Sequence, residues 1–257
     1  MGKEGCYLVD AGVKGCDKKI EEYIHKFGKN RENINAVLLT HSHPDHIGAL
    51  RSIKETYSCC VYASRGERDW IEDIDLQYEK RPIPGYYSLV DGSVTVDRIL
   101  SDGDLLCLEP GITIQVIGVP GHSRESLCFY YREQKILFTG DSTPEPSDAL
   151  IYEDSHASEE TLKRLELLEE VDMYCPAWDK VYDRRTGIAM IHEGLSRISK
   201  LRRCTEGYRG RMGEESTHRL FELICEESNM AEYKKNPLFM RSVMSDLSRL
   251  NQGNLRD

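Results

Sequence analysis

The stretch Thr40-His41-Ser42-His43-Pro44-Asp45-His46 places three histidines and one aspartate within six residues. It follows an apolar run, residues 36–39, which is typical of a short buried strand, and it precedes residues 47–53, whose pattern predicts a helix. Pro44 holds the preceding histidine extended and suits the first position of a helix. His41 and His43 should therefore point to the same side of the chain, with Asp45 and His46 in the first helical turn.

Imidazole and carboxylate groups at this spacing indicate a metal site. Proteins use both groups to bind zinc, and iron or manganese where carboxylates are more numerous. Four candidate ligands are more than one tetrahedral ion takes from a single turn, which predicts two adjacent metals. His41 and His43 would bind one metal, and Asp45 and His46 the other. The alternative, an exposed polar turn without a metal, is disfavoured by the strand-turn-helix context.

The pattern His41-x-His43-x-Asp45-His46 resembles the signature of the metallo-β-lactamase superfamily, in its glyoxalase II-like or lactonase-like branch. Two further segments, Val-Pro-Gly-His-Ser at residues 119–123 and Phe-Thr-Gly-Asp-Ser at residues 138–142, occur in the order expected for that family. The resemblance covers about residues 5–203. It implies an α/β protein of the α+β type, a four-layer αββα sandwich with a metal site at one edge of its two sheets. The N-terminal strands would be short or missing, and residues 204–257 would form a C-terminal helical extension.

The resemblance also implies roles for three further residues. His122 would be the third ligand of the first metal, and Asp141 would bridge the two metals. Asp10, at the start of an Asp-Ala-Gly sequence, would hold residues 41–46, here called the metal-binding turn, in place without binding a metal itself. The alternatives are a helix-cap or turn aspartate at residue 141 and a plain turn carboxylate at residue 10.

The sequence departs from the family pattern at the last metal ligand. Trp178 stands where the family has a histidine, and an indole cannot bind zinc. Asp179, one residue further on, is the favoured substitute ligand. His156 or His192 could reach the site instead, or the second metal site could be weak or empty. Loss of a nitrogen ligand should shift the preference of the second site toward manganese or iron.

Composition and charge restrict the class of protein. The chain has 257 residues, enough for one large domain with an appendage, and its domains are predicted as 1–203 and 204–257. No apolar run approaches the length of a membrane span, and the N-terminus has no signal-peptide core. Nine cysteines without metal-type spacing are typical of reduced thiols, so we expect a cytoplasmic protein, with a secreted, disulfide-framed protein as the alternative. A formal net charge of −10 makes nucleic acid a poor partner, and an open strand edge would permit a homodimer.

Together these patterns predict a metal-dependent hydrolase with a small-molecule substrate. The resemblance implies zinc as the cofactor, in one or two ions, with iron or manganese as alternatives. A metal-activated hydroxide would attack a small ester, thioester or lactone, and Asp45 would orient the nucleophile or accept its proton. The alternatives are a mono-iron enzyme that oxidises persulfides and a metal-binding scaffold that has lost its activity.

Two weaker patterns follow the metal-binding turn. Ser64 and Glu67 have the spacing of a helix-capping box, which predicts that a helix begins there. Residues 75–92 are polar, aromatic and interrupted by proline, which predicts an irregular segment. In that segment Tyr86 and Tyr87 would either contact substrate or pack on the core.

The C-terminal part of the chain has a pattern of its own. Residues 202–211 are basic and interrupted by glycine, in contrast to the acidic chain as a whole. Glyoxalase II-like relatives bind the anionic part of a thioester with a C-terminal helical region, so the resemblance implies such a role here. A solvated basic turn is the alternative. The pattern of residues 214–252 then predicts two helices, separated near residues 236–237.

Overall fold

The structure, a computed structural model, describes residues 1–27, 33–177, 180–211 and 215–252. The chain forms two compact units, Met1–Gly118 with Glu125–Gly140, and Val119–Arg124 with Asp141–Asp257. The predicted domain boundary after residue 203 falls inside one helix, Arg184–Gly207, and stays a prediction. No helix within the described ranges is long and apolar enough to cross a membrane.

Four parallel strands form one sheet of the first unit. In spatial order they are Cys6–Val9 (β1), Ile34–Leu38 (β2), Cys60–Ser64 (β3) and Arg98–Leu100 (β4). Alternate residues of β2 face opposite sides of this sheet. Val37 packs among helices, whereas Leu38 packs against the second sheet of the same unit. Because both faces are covered, β2 is largely apolar, which is the pattern that predicted a buried strand.

The helices of the first unit follow its parallel strands. They are Cys16–Phe27 (α1), Pro44–Ile47 (α2), Leu50–Tyr57 (α3), Arg68–Glu72 (α4), Ile74–Lys80 (α5) and Tyr86–Leu89 (α6). The helix predicted over residues 47–53 is therefore two helices, which separate at Gly48. The segment 75–92, predicted to be irregular, contains α5 and α6 and is without regular structure at residues 81–85 and 90–92. Its prolines, Pro82 and Pro84, lie between α5 and α6 and so interrupt neither helix.

Consecutive antiparallel strands form the second sheet of the first unit. They are Leu105–Glu109 (β5), Ile112–Gly118 (β6), Leu127–Tyr131 (β7) and Ile136–Gly140 (β8). Gly111, with φ of +89°, makes the turn between the first two strands, a conformation that side chains rarely adopt. Val116 and Phe129 are fully buried and pack with Leu38 of the parallel sheet. One apolar core of this unit thus lies between its two sheets, and a second lies between the parallel sheet and the helices.

The second unit contains a short hairpin and four helices. The strands are Met173–Pro176 (β9) and Tyr182–Asp183 (β10), and the helices are Ser155–Glu166 (α7), Arg184–Gly207 (α8), Thr217–Glu227 (α9) and Pro237–Gln252 (α10). Asp154, Asp183 and Ser216 each cap a helix by accepting a backbone N–H with the side chain. Ile198 and Leu201 of α8 are fully buried, as the apolar face of an amphipathic helix is.

The basic link of residues 202–211 is partly helical. Residues 202–207 complete α8, and Arg202 forms a 2.8 Å ion pair with Glu159 of α7. Arg211 pairs with Glu215. These glutamates reduce the positive charge that the link can offer to an anionic ligand. This favours the alternative that residues 202–211 form a solvated basic turn.

Gly48 provides a direct test of the close packing around α2. A Cβ atom at this position would lie 2.1 Å from the carbonyl oxygen of Leu89 and 2.6 Å from the backbone of Lys14, and backbone atoms cannot move aside locally. We expect Gly48→Ala to lower the free energy of unfolding by about 1–3 kcal/mol. Denaturant titration would measure the loss.

Gly207→Ala is the matched control, because nothing lies within 4 Å of its added Cβ. This change should alter the free energy of unfolding by no more than about 1 kcal/mol, because alanine favours helix over glycine by that amount. Equal stability of the two variants would contradict the described approach of residues 48 and 89.

Candidate metal centre

The predicted turn geometry around the histidine cluster is confirmed. His43 is extended, with φ of −61° and ψ of 151°, and Pro44 occupies the first turn of α2 together with Asp45 and His46. The turn follows β2 at its carboxyl end, where loops between parallel strands and helices carry most sites. His41 and His43 are 1% and 5% exposed. Nε2 of His41 lies 2.8 Å from Nδ1 of His43, so both ring nitrogens point at one spot.

Asp10 supports this turn from the end of β1. Its carboxylate accepts hydrogen bonds from the backbone N–H of Thr40 at 2.7 Å and from the Thr40 hydroxyl at 2.8 Å. It also lies 2.8 Å from Nδ1 of His46. An ionised carboxylate can only accept, so His46 carries its proton on Nδ1 and presents Nε2 as the ligand atom. These are the contacts that the supporting role predicted for Asp10 requires.

Thr40 orients a second imidazole in the same way. Its hydroxyl proton is directed to Asp10, so its oxygen accepts from Nδ1 of His41, which lies 3.0 Å away. His41 therefore also presents Nε2 as its ligand atom. The motif alone did not single out Thr40, because the role depends on a carboxylate thirty positions earlier in the chain.

Ser42, between the two buried histidines, is held by two side chains that the sequence did not identify as functional. Glu67 is 1% exposed and accepts from both the backbone N–H and the hydroxyl of Ser42, and from the N–H of Glu125. Gln77 donates to the Ser42 carbonyl oxygen at 2.6 Å. The predicted capping box is wrong: Ser64 ends β3, and Glu67 binds the metal-binding turn instead of a helix end.

Tyr86 completes this support and is not a substrate contact. Its side chain is 1% exposed, and its hydroxyl donates to Gln77. Burial raises the pKa of Tyr86 far above its ordinary value, so the hydroxyl remains a donor at neutral pH. Tyr87 is 51% exposed and donates to Asp75. Of the two tyrosines, only Tyr87 remains accessible to a substrate.

In the second unit, His122 and Asp141 lie side by side. Nδ1 of His122 is 2.9 Å from the carbonyl oxygen of Ile151. A carbonyl only accepts, so His122 also carries its proton on Nδ1. Nε2 of His122 lies 3.4 Å from a carboxylate oxygen of Asp141, and both side chains are more than nine-tenths buried. Two ligands bound tetrahedrally at 2.1 Å lie about 3.4 Å apart, so this separation suits one shared ion.

The described candidate ligands fit a divalent metal. In the first unit, the ring centroid of His41 lies 4.4 Å from that of His43 and 3.9 Å from that of His46. In the second unit, His122 and Asp141 lie close enough for one ion to bind both. Imidazole and carboxylate are the donors that zinc, iron and manganese take.

The other sequence candidates for the metal site are Asp45, Asp179, His156 and His192. Asp45 has a side chain that is 57% exposed and reaches within 3.8 Å of Nε2 of His46. Asp179 lies outside the described residues, as does Trp178. His156 lies 3.4 Å from Arg202 and His192 lies 2.6 Å from Glu166, so within the described ranges both histidines have partners other than the predicted metal ligands.

Asp10→Asn should weaken metal binding by about 10–100-fold, because it removes the charge that holds the proton of His46 in place. Asparagine tolerates the left-handed backbone of this position, where φ is 61°, so the turn should persist. Chelator competition with metal-stripped protein would measure the affinity. Asp91→Asn is the control, since Asp91 accepts hydrogen bonds from Arg51 and Ser52 at the start of α3. Equal affinities of Asp10→Asn and wild type would contradict the role.

The comparisons with known proteins agree with the sequence motifs. The family model of the metallo-β-lactamase superfamily matches residues 2–177. A hydroxyacylglutathione hydrolase of Hyphomonas neptunium is 30% identical over 155 residues, which are 60% of this chain and 52% of that protein. The acyl-coenzyme A thioesterase MBLAC2 of Gallus gallus is 33% identical over 142 residues, which are 52% of this chain and 50% of that protein. The chain thus spans about half the length of the curated relatives it matches.

The fold prediction is confirmed by a solved structure. The metallo-β-lactamase family protein TTHA1429 of Thermus thermophilus superposes with a TM-score of 0.74 and covers 99% of this chain and 87% of its own, at 17% identity. That identity shows the fold alone. The family model covers more than half of the chain and contains the motifs at His41, His122 and Asp141. The chain belongs to the metallo-β-lactamase superfamily.

Proposed function

We propose that the chain is a metal-dependent hydrolase of small thioesters, with small esters and lactones as further substrates. The observation that carries the proposal is the cluster of buried imidazoles that His41, His43 and His46 form in the first unit. Two relatives support thioesters, since one is named a hydroxyacylglutathione hydrolase and the other an acyl-coenzyme A thioesterase. Both names describe cleavage of an acyl–sulfur bond.

The proposed ligands divide between two metal positions. By the sequence motifs, three imidazoles would bind the first metal: His41, His43 and His122. The second would take Asp45, His46 and Asp179, with Asp141 shared by both. When bound, the metal, with zinc as the first candidate and iron or manganese as alternatives, lowers the pKa of a coordinated water to about 7 and polarises the substrate carbonyl.

The residues of the chain supply orientation and proton transfer. Asp10, Thr40 and the Ile151 carbonyl hold protons on Nδ1 of three imidazoles, which keeps each Nε2 available. Asp45 is the proposed catalytic base. Its carboxylate is exposed and lies 3.8 Å from Nε2 of His46, so it can accept the proton of an attacking water beside the ligands.

The chain is also proposed to act in the cytoplasm on a small molecule. All nine cysteines are thiols rather than disulfides, which suits a reducing compartment. The formal net charge of −10 opposes binding to nucleic acid. The chain is also proposed to form a homodimer, because β1 lies at the edge of its sheet, where it can pair with a strand of a second copy.

Hydrolysis by metal-stripped and reloaded protein would test the activity. We expect turnover of S-acyl glutathione or acyl-coenzyme A substrates that is lost with the metal and restored with zinc, iron or manganese. His41→Ala should lower kcat/KM by about 100-fold or more, because the metal lowers the pKa of water by many units. His192→Ala is the control, since this histidine is exposed and pairs with Glu166. Undiminished turnover by the stripped protein would contradict the proposal, as would no turnover of any thioester, ester or lactone after reloading.

Metal content per chain would test the second metal position. With Asp179 as a ligand, wild type should hold two ions and Asp179→Ala one, by elemental mass spectrometry after purification without added metal. Oxygen replaces nitrogen at this position. Its preference for manganese or iron should therefore be stronger than that of a site with three nitrogen ligands. One ion in wild type that rises to two in Trp178→His would show instead that Trp178 leaves the second position empty.

A further inference from the structure

One face of the C-terminal helix α10 is fastened to the segment of residues 151–155. Ser242 accepts the backbone N–H of Tyr152 at 2.9 Å, and Asp246 accepts that of Ser155 at 3.4 Å. These two side chains are four positions apart, so they lie on the same face of the helix. Ser245, beside them, donates to the carbonyl oxygen of Glu153 at 3.3 Å. The segment is thus held by hydrogen bonds to its backbone rather than by side-chain packing alone.

The same segment holds the loop of His122. The Ile151 carbonyl accepts from Nδ1 of His122 at 2.9 Å. The backbone N–H groups of Glu153 and Asp154 both donate to the carbonyl oxygen of Gly121, at 2.7 and 3.1 Å. The segment therefore contacts both the ring of His122 and the residue before it. Any shift of the segment would move the acceptor that fixes the proton of this imidazole.

The composition of α10 shows that these polar contacts are specific. Its neighbouring inward residues, Phe239, Val243 and Leu247, are fully buried and apolar. Ser242 and Asp246 are only 1% and 6% exposed. Burying a polar group is unfavourable unless it is hydrogen-bonded, so a helix that only packed would bury apolar residues at these positions too. The polar residues instead match the backbone N–H groups of one segment.

The protonation of Asp246 is compatible with this role. Burial raises the pKa of Asp246, and the hydrogen bond from Ser155 opposes the rise. Either form of the carboxyl group can accept the Ser155 N–H. Asparagine keeps an acceptor oxygen in the same place, so Asp246→Asn preserves the contact and Asp246→Ala removes it.

We propose that α10 positions His122: Ser242 and Asp246 fix the segment 151–155, whose Ile151 carbonyl holds the Nδ1 proton of His122 and so directs Nε2 toward Asp141. The inference rests on the proposed function only in that His122 is taken as a metal ligand. Ser242 and Asp246 are positioning residues, since they contact neither the ligand atoms nor a substrate in the described contacts. The C-terminal helices then serve the metal position itself, a role different from binding the substrate.

Metal affinity is the first readout. Ser242→Ala and Asp246→Ala in the full chain should each weaken zinc binding to metal-stripped protein by about 10–100-fold, as loss of indirect support for a ligand does. Asp246→Asn should restore most of the affinity. Ser248→Ala is the matched control on the same helix, because its hydroxyl donates within the helix to the Met244 carbonyl. This control should stay within about twofold of wild type.

The tautomer of His122 is the second readout, and it needs no metal. In the ¹⁵N spectrum of histidine-labelled, metal-stripped protein, wild type and Ser248→Ala should show His122 protonated on Nδ1. Ser242→Ala should show a mixture of tautomers at a temperature where the thermal unfolding curve reports a folded protein. A single Nδ1–H tautomer in Ser242→Ala together with unchanged affinity would overturn the inference. Failure of wild type to bind metal would instead count against the proposed function, while the tautomer would still test the role of α10.

Discussion

Protons held on Nδ1 of three buried imidazoles are the constraint on which the candidate site depends. A neutral imidazole can bind a metal only through the ring nitrogen that carries no proton. The hydrogen bond donated by the other nitrogen decides which nitrogen that is. In this chain the acceptors are the Asp10 carboxylate for His46, the Thr40 hydroxyl for His41 and the Ile151 carbonyl for His122. None of these acceptors is part of the histidine pattern itself. The fold therefore contributes the direction of each ligand atom, while the motif contributes its identity.

The metal-binding turn is fixed on its other side by buried polar groups. Glu67 accepts hydrogen bonds from Ser42 and from the N–H of Glu125. Gln77 donates to the Ser42 carbonyl oxygen and accepts from the Tyr86 hydroxyl. A buried carboxylate is unfavourable unless several donors satisfy it, and here backbone and hydroxyl donors do so. Such a network has one good arrangement, because moving the turn would leave Glu67 without its donors. The turn is thus rigid before any metal binds, which limits the reorganisation that binding requires.

The sequence predicted the parts that local patterns decide. The strand before His41 and the proline at the start of α2 follow from spacing over a few residues, and both are found. The role of Glu67 was missed because its partners are 25 and 58 positions away, while its local spacing matched a capping box. The prolines near residue 83 suggested an irregular segment, although they only separate two short helices. The contacts of α10 with residues 151–155 likewise join parts of the chain about ninety positions apart, which no local pattern reports.

We propose that His41, His43 and His122 bind one metal ion. Crystals of zinc-reloaded protein, with anomalous diffraction collected on both sides of the zinc absorption edge, would locate that ion. We expect a peak bonded to a ring nitrogen of each of these histidines at about 2.0–2.1 Å. A peak bound elsewhere, with these three imidazoles outside its coordination sphere, would show that they do not bind the metal together.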